Sequence, residues 1–427
     1  MADNNFITRG SCDYRRANLA LFFAGFVTFS TLYTFQPLFP NLVAEFGISP
    51  AIASLSLSFA TLALAVSLPI SGSLSDAWGR RGMMGISVIL AALLALLSAG
   101  HVPLSTLLTL RLLQGIVLAG VPAVAMAYLN EEIEPRAIGS AMGLYIAGNA
   151  CGGMSGRILT AWMTDLWNWR VAVAGIGLLS ILLAVLFILL LPPSRNFERR
   201  DLHLGQLSAS LFGHLRNPGL LCLFFLAFTC MGGFVTLYNY VSFRLLGPDF
   251  NLAQSQVALI FLAYAFGAGG SSVMGRLVDR FGRSPLLFSA LAVMTSGLLL
   301  TLLPQLVAVI LGIVVFTIGF FGAHTIASAW VGLLAGQARA QASSLYLFAY
   351  YLGSSISGTG GGFFYSAWGW GGVVLLILLL LGAAFLAGLR LRSLAEKNSA
   401  RPKLNRPCCP KQILKQLHGK EPSTSGN

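Results

Sequence analysis

Between residues 17 and 392 the chain is an almost unbroken succession of long apolar runs, and these fix what it can fold into. A run of about 20 apolar residues, coiled as an α-helix, matches the ~30 Å hydrocarbon core of a bilayer. Lipid offers backbone amides no partners, so such a run must satisfy its own N–H and C=O groups as a helix or in a closed barrel. Barrel strands would alternate polar and apolar residues; these runs do not. They predict twelve spanning helices, at 17–40, 52–71, 83–100, 105–129, 139–162, 168–191, 217–240, 255–274, 286–303, 306–330, 342–366 and 371–390. The expected fold class is an all-α polytopic membrane protein. Charge agrees, since only 10% of residues are charged against roughly 25% in soluble domains. The first run follows Arg15 and Arg16 and extends to about Pro40. That is too long for the apolar core of a signal peptide, about 7–15 residues, so it is expected to be a retained first helix.

A net charge of +13 would suit nucleic acid if it were gathered on one face. Instead the basic residues sit between apolar runs and beyond the last one. With the N-terminus in the cytoplasm, 23 of the 27 fall on the cytoplasmic side. Arg157, Arg170 and Arg244 fall on the outer side and Arg111 within a helix. This is the bias of the positive-inside rule. It divides the chain into a cytoplasmic N-terminus (1–16), a six-helix half (17–191), a polar linker (192–216), a second six-helix half (217–392) and a tail (393–427). The tail carries all five lysines and is expected to be disordered and attracted to anionic lipid. The six cysteines show no metal-ligand spacing, so neither metal nor cofactor is expected.

The halves repeat at a fixed offset of 203 residues. Gly72-Ser73-Leu74-Ser75-Asp76-Ala77-Trp78-Gly79-Arg80 aligns with Gly275-Arg276-Leu277-Val278-Asp279-Arg280-Phe281-Gly282-Arg283. The same offset carries Arg136-Ala137 to Arg339-Ala340, Ser140 to Ser343 and Trp167 to Trp370. Such a repeat implies two like halves related by an axis along the membrane normal. The segment from Gly72 to Met84 resembles the signature loop between helices 2 and 3 of the major facilitator superfamily, with Ala77 where a basic residue is usual. Arg111, Gln114 and Gly115 resemble that family's helix-4 motif. Gly148-Asn149-Ala150-Cys151-Gly152-Gly153 resembles the helix-5 motif of its drug:proton antiporters, with Asn149 replacing the usual proline. Gln36-Pro37-Leu38-Phe39-Pro40 resembles helix 1 of YnfM-type bacterial inner-membrane drug and sugar exporters. The resemblance covers residues 17–392 and implies a major facilitator fold in the cell inner membrane.

Three sets of residues are candidates for mechanism. Gly72, Asp76, Gly79, Arg80, Arg81, Gly275, Asp279, Gly282 and Arg283 form the paired loops. The glycines allow tight turns and close helix approach. By the resemblance, each aspartate faces a helix N-terminus of the opposite half, a contact the macrodipole favours, and so acts as a cytoplasmic conformational latch. Arg111, an arginine within an apolar helix, costs at least about 2.5 kcal/mol there and needs partners. With Gln36 and Gln114 it is a candidate for substrate contact, as are Asn149, Tyr238 and Asn239. His324, with Tyr346 and Tyr350 one helical turn apart, is a candidate for substrate or proton, since histidine titrates near neutrality. Gly148, Gly152, Gly153 and Gly358 would let helices 5 and 11 slide as gating elements between the halves.

An embedded enzyme would need a nucleophile, metal site or acid–base pair, and no H-E-x-x-H or G-x-S-x-G occurs. An ATP-driven pump would need a phosphate-binding loop, also absent. A non-transporting receptor has no use for a duplicated latch. The expected function is secondary active transport by a monomer in the lipid bilayer. The resemblance implies proton-coupled efflux of drug-like compounds or sugars; import or exchange of an organic anion read by Arg111 is the alternative.

Overall fold

The twelve apolar runs become helices in a computed structural model that describes residues 6–197, 213–335 and 339–400. The first half contains α1 (Cys12–Phe46), α2 (Pro50–Trp78), α3 (Arg80–Ser98), α4 (Leu104–Glu132), α5 (Ile138–Leu166) and α6 (Trp169–Leu190). The second contains α7 (Pro218–Leu246), α8 (Gln254–Val278, running on to Phe281), α9 (Arg283–Leu300) and α10 (Leu306–Leu334). The last continuous stretch, Arg339–Ala400, is two helices meeting at Trp368–Gly369, where Gly369 has φ 58°. They are α11 (339–367) and α12 (370–400). Among the described residues the only β pairing is one bridge, Ile7 with Ile133, which ties the N-terminal segment to the α4–α5 connection.

Local chemistry sets the boundaries. Pro50 opens α2 behind Ser49, whose side chain accepts from the Ile52 N–H, and Asn168 and Asn217 cap α6 and α7 likewise. Gly79 (φ 95°) and Gly282 (φ 79°) make the tight α2–α3 and α8–α9 turns, a region closed to most side chains. Several helices outrun their apolar cores: α5 ends at Leu166 rather than 162 and α10 at Leu334 rather than 330. The final helix continues to Ala400, into the segment expected to be tail. The remaining tail, from 401, and residues 198–212 of the linker lie outside the described residues.

Helix α1 is broken. It stops at Tyr33, passes through a 3₁₀ turn at Gln36–Leu38 and resumes at Phe39–Phe46. Pro37 and Pro40 supply the reason, since neither can donate to the helix ladder. The break leaves carbonyls of the last full turn to be satisfied from elsewhere.

In lipid, helices associate through close packing of small residues rather than a hydrophobic drive. A Cβ on Gly148, Gly152 or Gly156 of α5 would run into the α1 backbone at Phe22, Phe26 and Ser30. These glycines therefore join α5 to α1 inside one half. In this conformation Gly148 and Gly152 pack within their own half rather than against the other. Gly153 has only Arg157 and Phe29 near it, and Gly353 seats α11 on α7 at Phe228. The helix-11 glycines that do meet the other half are Gly358, where an added Cβ would lie 4.0 Å from Ser58 Oγ, and Gly362, where one would run into the Ala51 backbone.

Candidate functional site between the halves

Among the described residues, every hydrogen bond between the halves lies on one side of mid-membrane, the side that the charge bias makes the outer one. On α2, Ser54, Ser58 and Thr61 follow one face toward the cytoplasm and meet Ser355 and Thr359 of α11. Ser58 Oγ donates to the Ser355 carbonyl (3.2 Å) and Ser355 Oγ to the Ser58 carbonyl (3.1 Å). Thr359 Oγ1 donates to Ser58 Oγ (2.8 Å), Thr61 and Ser355 hydroxyls lie 2.8 Å apart, and Ser54 reaches Thr359 at 3.4 Å. Nearer the outer face, Gln254 Nε2 donates to the Pro37 carbonyl (2.8 Å), and the Ser255 N–H donates to Asp165 Oδ2 (2.7 Å). Asp165 thus sits at the N-terminus of α8, where the macrodipole favours a carboxylate.

At the centre of this seal Gln36 Nε2 donates to Asn239 Oδ1 at 2.8 Å, both side chains fully buried. The two are 203 residues apart, the repeat offset itself, so the seal closes on the pseudo-two-fold axis through a repeat-related pair. Gln36 Oε1 in turn accepts from Nε of Arg157 at 2.6 Å. Arg157 is 1% exposed, and its Nη1 donates to the Gly153 carbonyl (2.6 Å). Its guanidinium lies 3.8 Å from the Tyr33 ring centre, 4.8 Å from Phe261 and 5.1 Å from Tyr264, the last two on α8. No described carboxylate pairs with it. Arg157 was expected as an outer-side topology residue. It lies nine residues inside the end of α5, roughly 13 Å at about 1.5 Å per residue.

Arg111 occupies a different environment. Nε donates to the Ser56 carbonyl (2.7 Å), Nη1 to the Thr31 carbonyl (3.1 Å) and to Gln114 Oε1, and Nη2 to the Leu32 carbonyl (2.6 Å). Gln114 Nε2 continues to the Ala91 carbonyl of α3 (2.8 Å). The group binds α1 at its break to α2, α3 and α4, entirely within the first half. Gln36 is not among its partners, so the expected Arg111–Gln36 pair becomes Arg157–Gln36. Asn149 is also internal to that half, its Oδ1 buried without a hydrogen-bond partner and close against Gly25 of α1.

The second half supplies an aromatic wall. Tyr264 packs 5.4 Å from Phe234, Phe234 stacks on Phe320 at 3.8 Å, and Phe320 lies 6.0 Å from His324. His324 Nδ1 is 3.0 Å from the Tyr346 hydroxyl, and its ring lies 5.0 Å from Tyr350. Histidine and tyrosines therefore do form one cluster, around a cavity of about 10 Å³, room for about one water. Phe320 lies 6.3 Å from Tyr350 and, through Phe234 and Tyr264, connects this cluster to the Arg157 cage. Tyr238 is buried in the wall with its hydroxyl 2.8 Å from that of Thr317.

Among the described residues, the paired loops make no such cross-half hydrogen bonds. Arg80 binds Asp76 (2.5 Å), Glu131 (2.7 Å) and Ser75 (2.5 Å), and Arg81 donates to the Ile188 carbonyl of α6 (2.8 Å). Asp76 is thus held inside its own half. Glu131, which sequence reasoning did not single out, completes the cluster; its repeat mate is Leu334, and Arg283 is exposed. The Asp279 side chain lies outside the described residues. A Cβ added at Gly72 or Gly275 would meet nothing within 4 Å, so the close approach expected there is not made in this conformation.

Comparison with known proteins agrees with this architecture. The pattern of the Major Facilitator Superfamily matches residues 21–247 and 237–421. The MFS-type transporter YybF of Bacillus subtilis (strain 168) is 48% identical over 365 residues, 86% of this chain and 90% of its own. The inner membrane transport protein YnfM of Escherichia coli (strain K12) is 45% identical over 388 residues, 91% of this chain and 93% of its own. A crystal structure of a bacterial homologue of the human lysosomal transporter Spinster superposes with a TM-score of 0.74 at 16% identity, covering 91% of this chain and 98% of that one. The chain belongs to the major facilitator superfamily, a family of membrane transporters rather than enzymes.

Proposed function

We propose that this transporter works as a monomer in the cell inner membrane, exporting a small organic molecule by alternating access, with protons moving inward. The observation that carries the reading is the one-sided seal. Outward of mid-membrane the halves are joined by Gln36–Asn239, the Ser58–Ser355 exchange and Asp165–Ser255. Toward the cytoplasm no described hydrogen bond joins them. A site sealed on the side expected to be outer is what an exporter needs in order to load from the cytoplasm. The resemblance of Gly148–Gly153 to antiporter helix 5 supports the same direction, and the name of the YnfM relative supports the membrane.

Protons are assigned to His324, which faces Tyr346 and Tyr350 and has no described carboxylate beside it. In inside-out vesicles an acidic lumen should drive accumulation of substrate. His324→Gln should lose that stimulation while retaining substrate counterflow, which needs no proton. Undiminished stimulation in the variant would remove His324 from coupling.

The paired loops are assigned to the opposite conformation. When the cytoplasmic side closes, the space beside Gly72 and Gly275 would receive helices of the other half, with Asp76 and Asp279 as latches. Asp76→Asn should then slow transport several-fold at unchanged membrane abundance. Wild-type transport by the Asp76→Asn, Asp279→Asn double variant would exclude a latch.

A further inference from the structure

Two arginines are wholly buried in the first half, and their surroundings separate them. Arg111 is occupied by backbone carbonyls of two helices and by Gln114. Among the described residues the acceptors Arg157 holds are neutral, Gln36 and Gly153. Beyond these it meets the Tyr33 phenol and the ring faces of Phe261 and Tyr264. A guanidinium does not deprotonate in proteins, so Arg157 is a buried cation with no anion beside it among the described residues. Its repeat mate is Gly360, so the second half contributes no matching charge on the other side of the axis.

We propose that Arg157 reads the carboxylate of the transported molecule, and that this molecule is a small aromatic monocarboxylate. The inference rests on the export reading above and names its substrate class. Rings flanking the guanidinium leave its planar edge as the approach for a ligand. A carboxylate fits that edge with two parallel N–H···O bonds, a match an ammonium or neutral group cannot reproduce. The body of the ligand meets the wall from Tyr264 through Phe234 and Phe320 to His324 and Tyr350. Offset stacking on these rings suits an aromatic body. One cation in the site sets the ligand charge at one.

The same geometry links occupancy to the seal. A carboxylate on the Nε edge displaces Gln36 Oε1, which that N–H now holds at 2.6 Å. Gln36 is thereby released on one side while its Nε2 still bonds Asn239 across the axis. The amide that positions the seal loses its anchor when the ligand arrives from the cytoplasm.

The test is thermal protection of the purified full-length protein by benzoate, phenylacetate and cinnamate, each against its neutral amide. The acids should protect wild type at concentrations at least about tenfold below those of the amides, the scale of a charge-assisted hydrogen bond. Arg157→Gln should abolish the difference between acid and amide. Arg157→Lys, which keeps the charge and guards against a folding artefact, should retain a reduced preference for acids. Gln36→Ala, which removes the competing acceptor, should tighten acid binding. Equal protection by acids and amides in wild type, no protection by any acid, or an acid preference that survives Arg157→Gln would each overturn the proposal. These outcomes, in a protein whose outer seal still opens and closes by cysteine accessibility, leave the export reading standing; a seal that never opens defeats that reading instead.

Discussion

Arg111→Ala is expected to prevent accumulation of folded protein rather than to alter substrate choice. Helix α1 stops at Tyr33, and a helix end leaves its last carbonyls without intrahelical donors. Arg111 fills the gap by donating to Thr31 and Leu32 while its Nε reaches Ser56 of α2. Hydrogen bonds to charged groups contribute about 1.5–3 kcal/mol each, so losing even two exceeds ~3 kcal/mol, a large part of a typical 5–15 kcal/mol stability. Arg111→Lys should fail nearly as badly, because one ammonium cannot span acceptors on two helices as a planar fork does. Yield of monodisperse protein and its thermal midpoint in detergent report the result. A lysine variant with the wild-type midpoint but defective transport would return Arg111 to the substrate site.

The contrast between Arg111 and Arg157 shows where the sequence stops being informative. Twelve helices in two halves are legible because lipid imposes length and apolarity on every segment. The turns at Gly79 and Gly282 are legible because backbone geometry there excludes most side chains. The site is less so. Arg157 read as an outer residue because the apolar run of α5 fades near 162, whereas the helix continues through Thr164 and Asp165 to Leu166. Polar residues end the hydropathy signal without ending the helix. Most partners of Arg111 could not be read from side chains, because they are backbone carbonyls, two of them at the break in α1. The Gln36–Asn239 pair was available in principle, since the repeat offset connects the two positions. Nothing in a repeat says, however, which of its mates meet on the axis. His324 with Tyr346 and Tyr350 came together as expected because two antiparallel helices place them at similar depth.

Transport should stop when the outer seal is fixed shut. Ser54 and Thr359 face one another across the halves with hydroxyls 3.4 Å apart, and a seal that opens in every cycle must separate them. The measurement is transport by the Ser54→Cys, Thr359→Cys variant, in a background whose six native cysteines are replaced, before oxidation, after complete cross-linking and after reduction. Alternating access predicts near-complete loss on cross-linking and recovery on reduction, with either single variant indifferent to oxidant. Undiminished transport by the fully cross-linked protein would mean that the substrate does not pass through an opening between the halves at this seal, and would contradict the account.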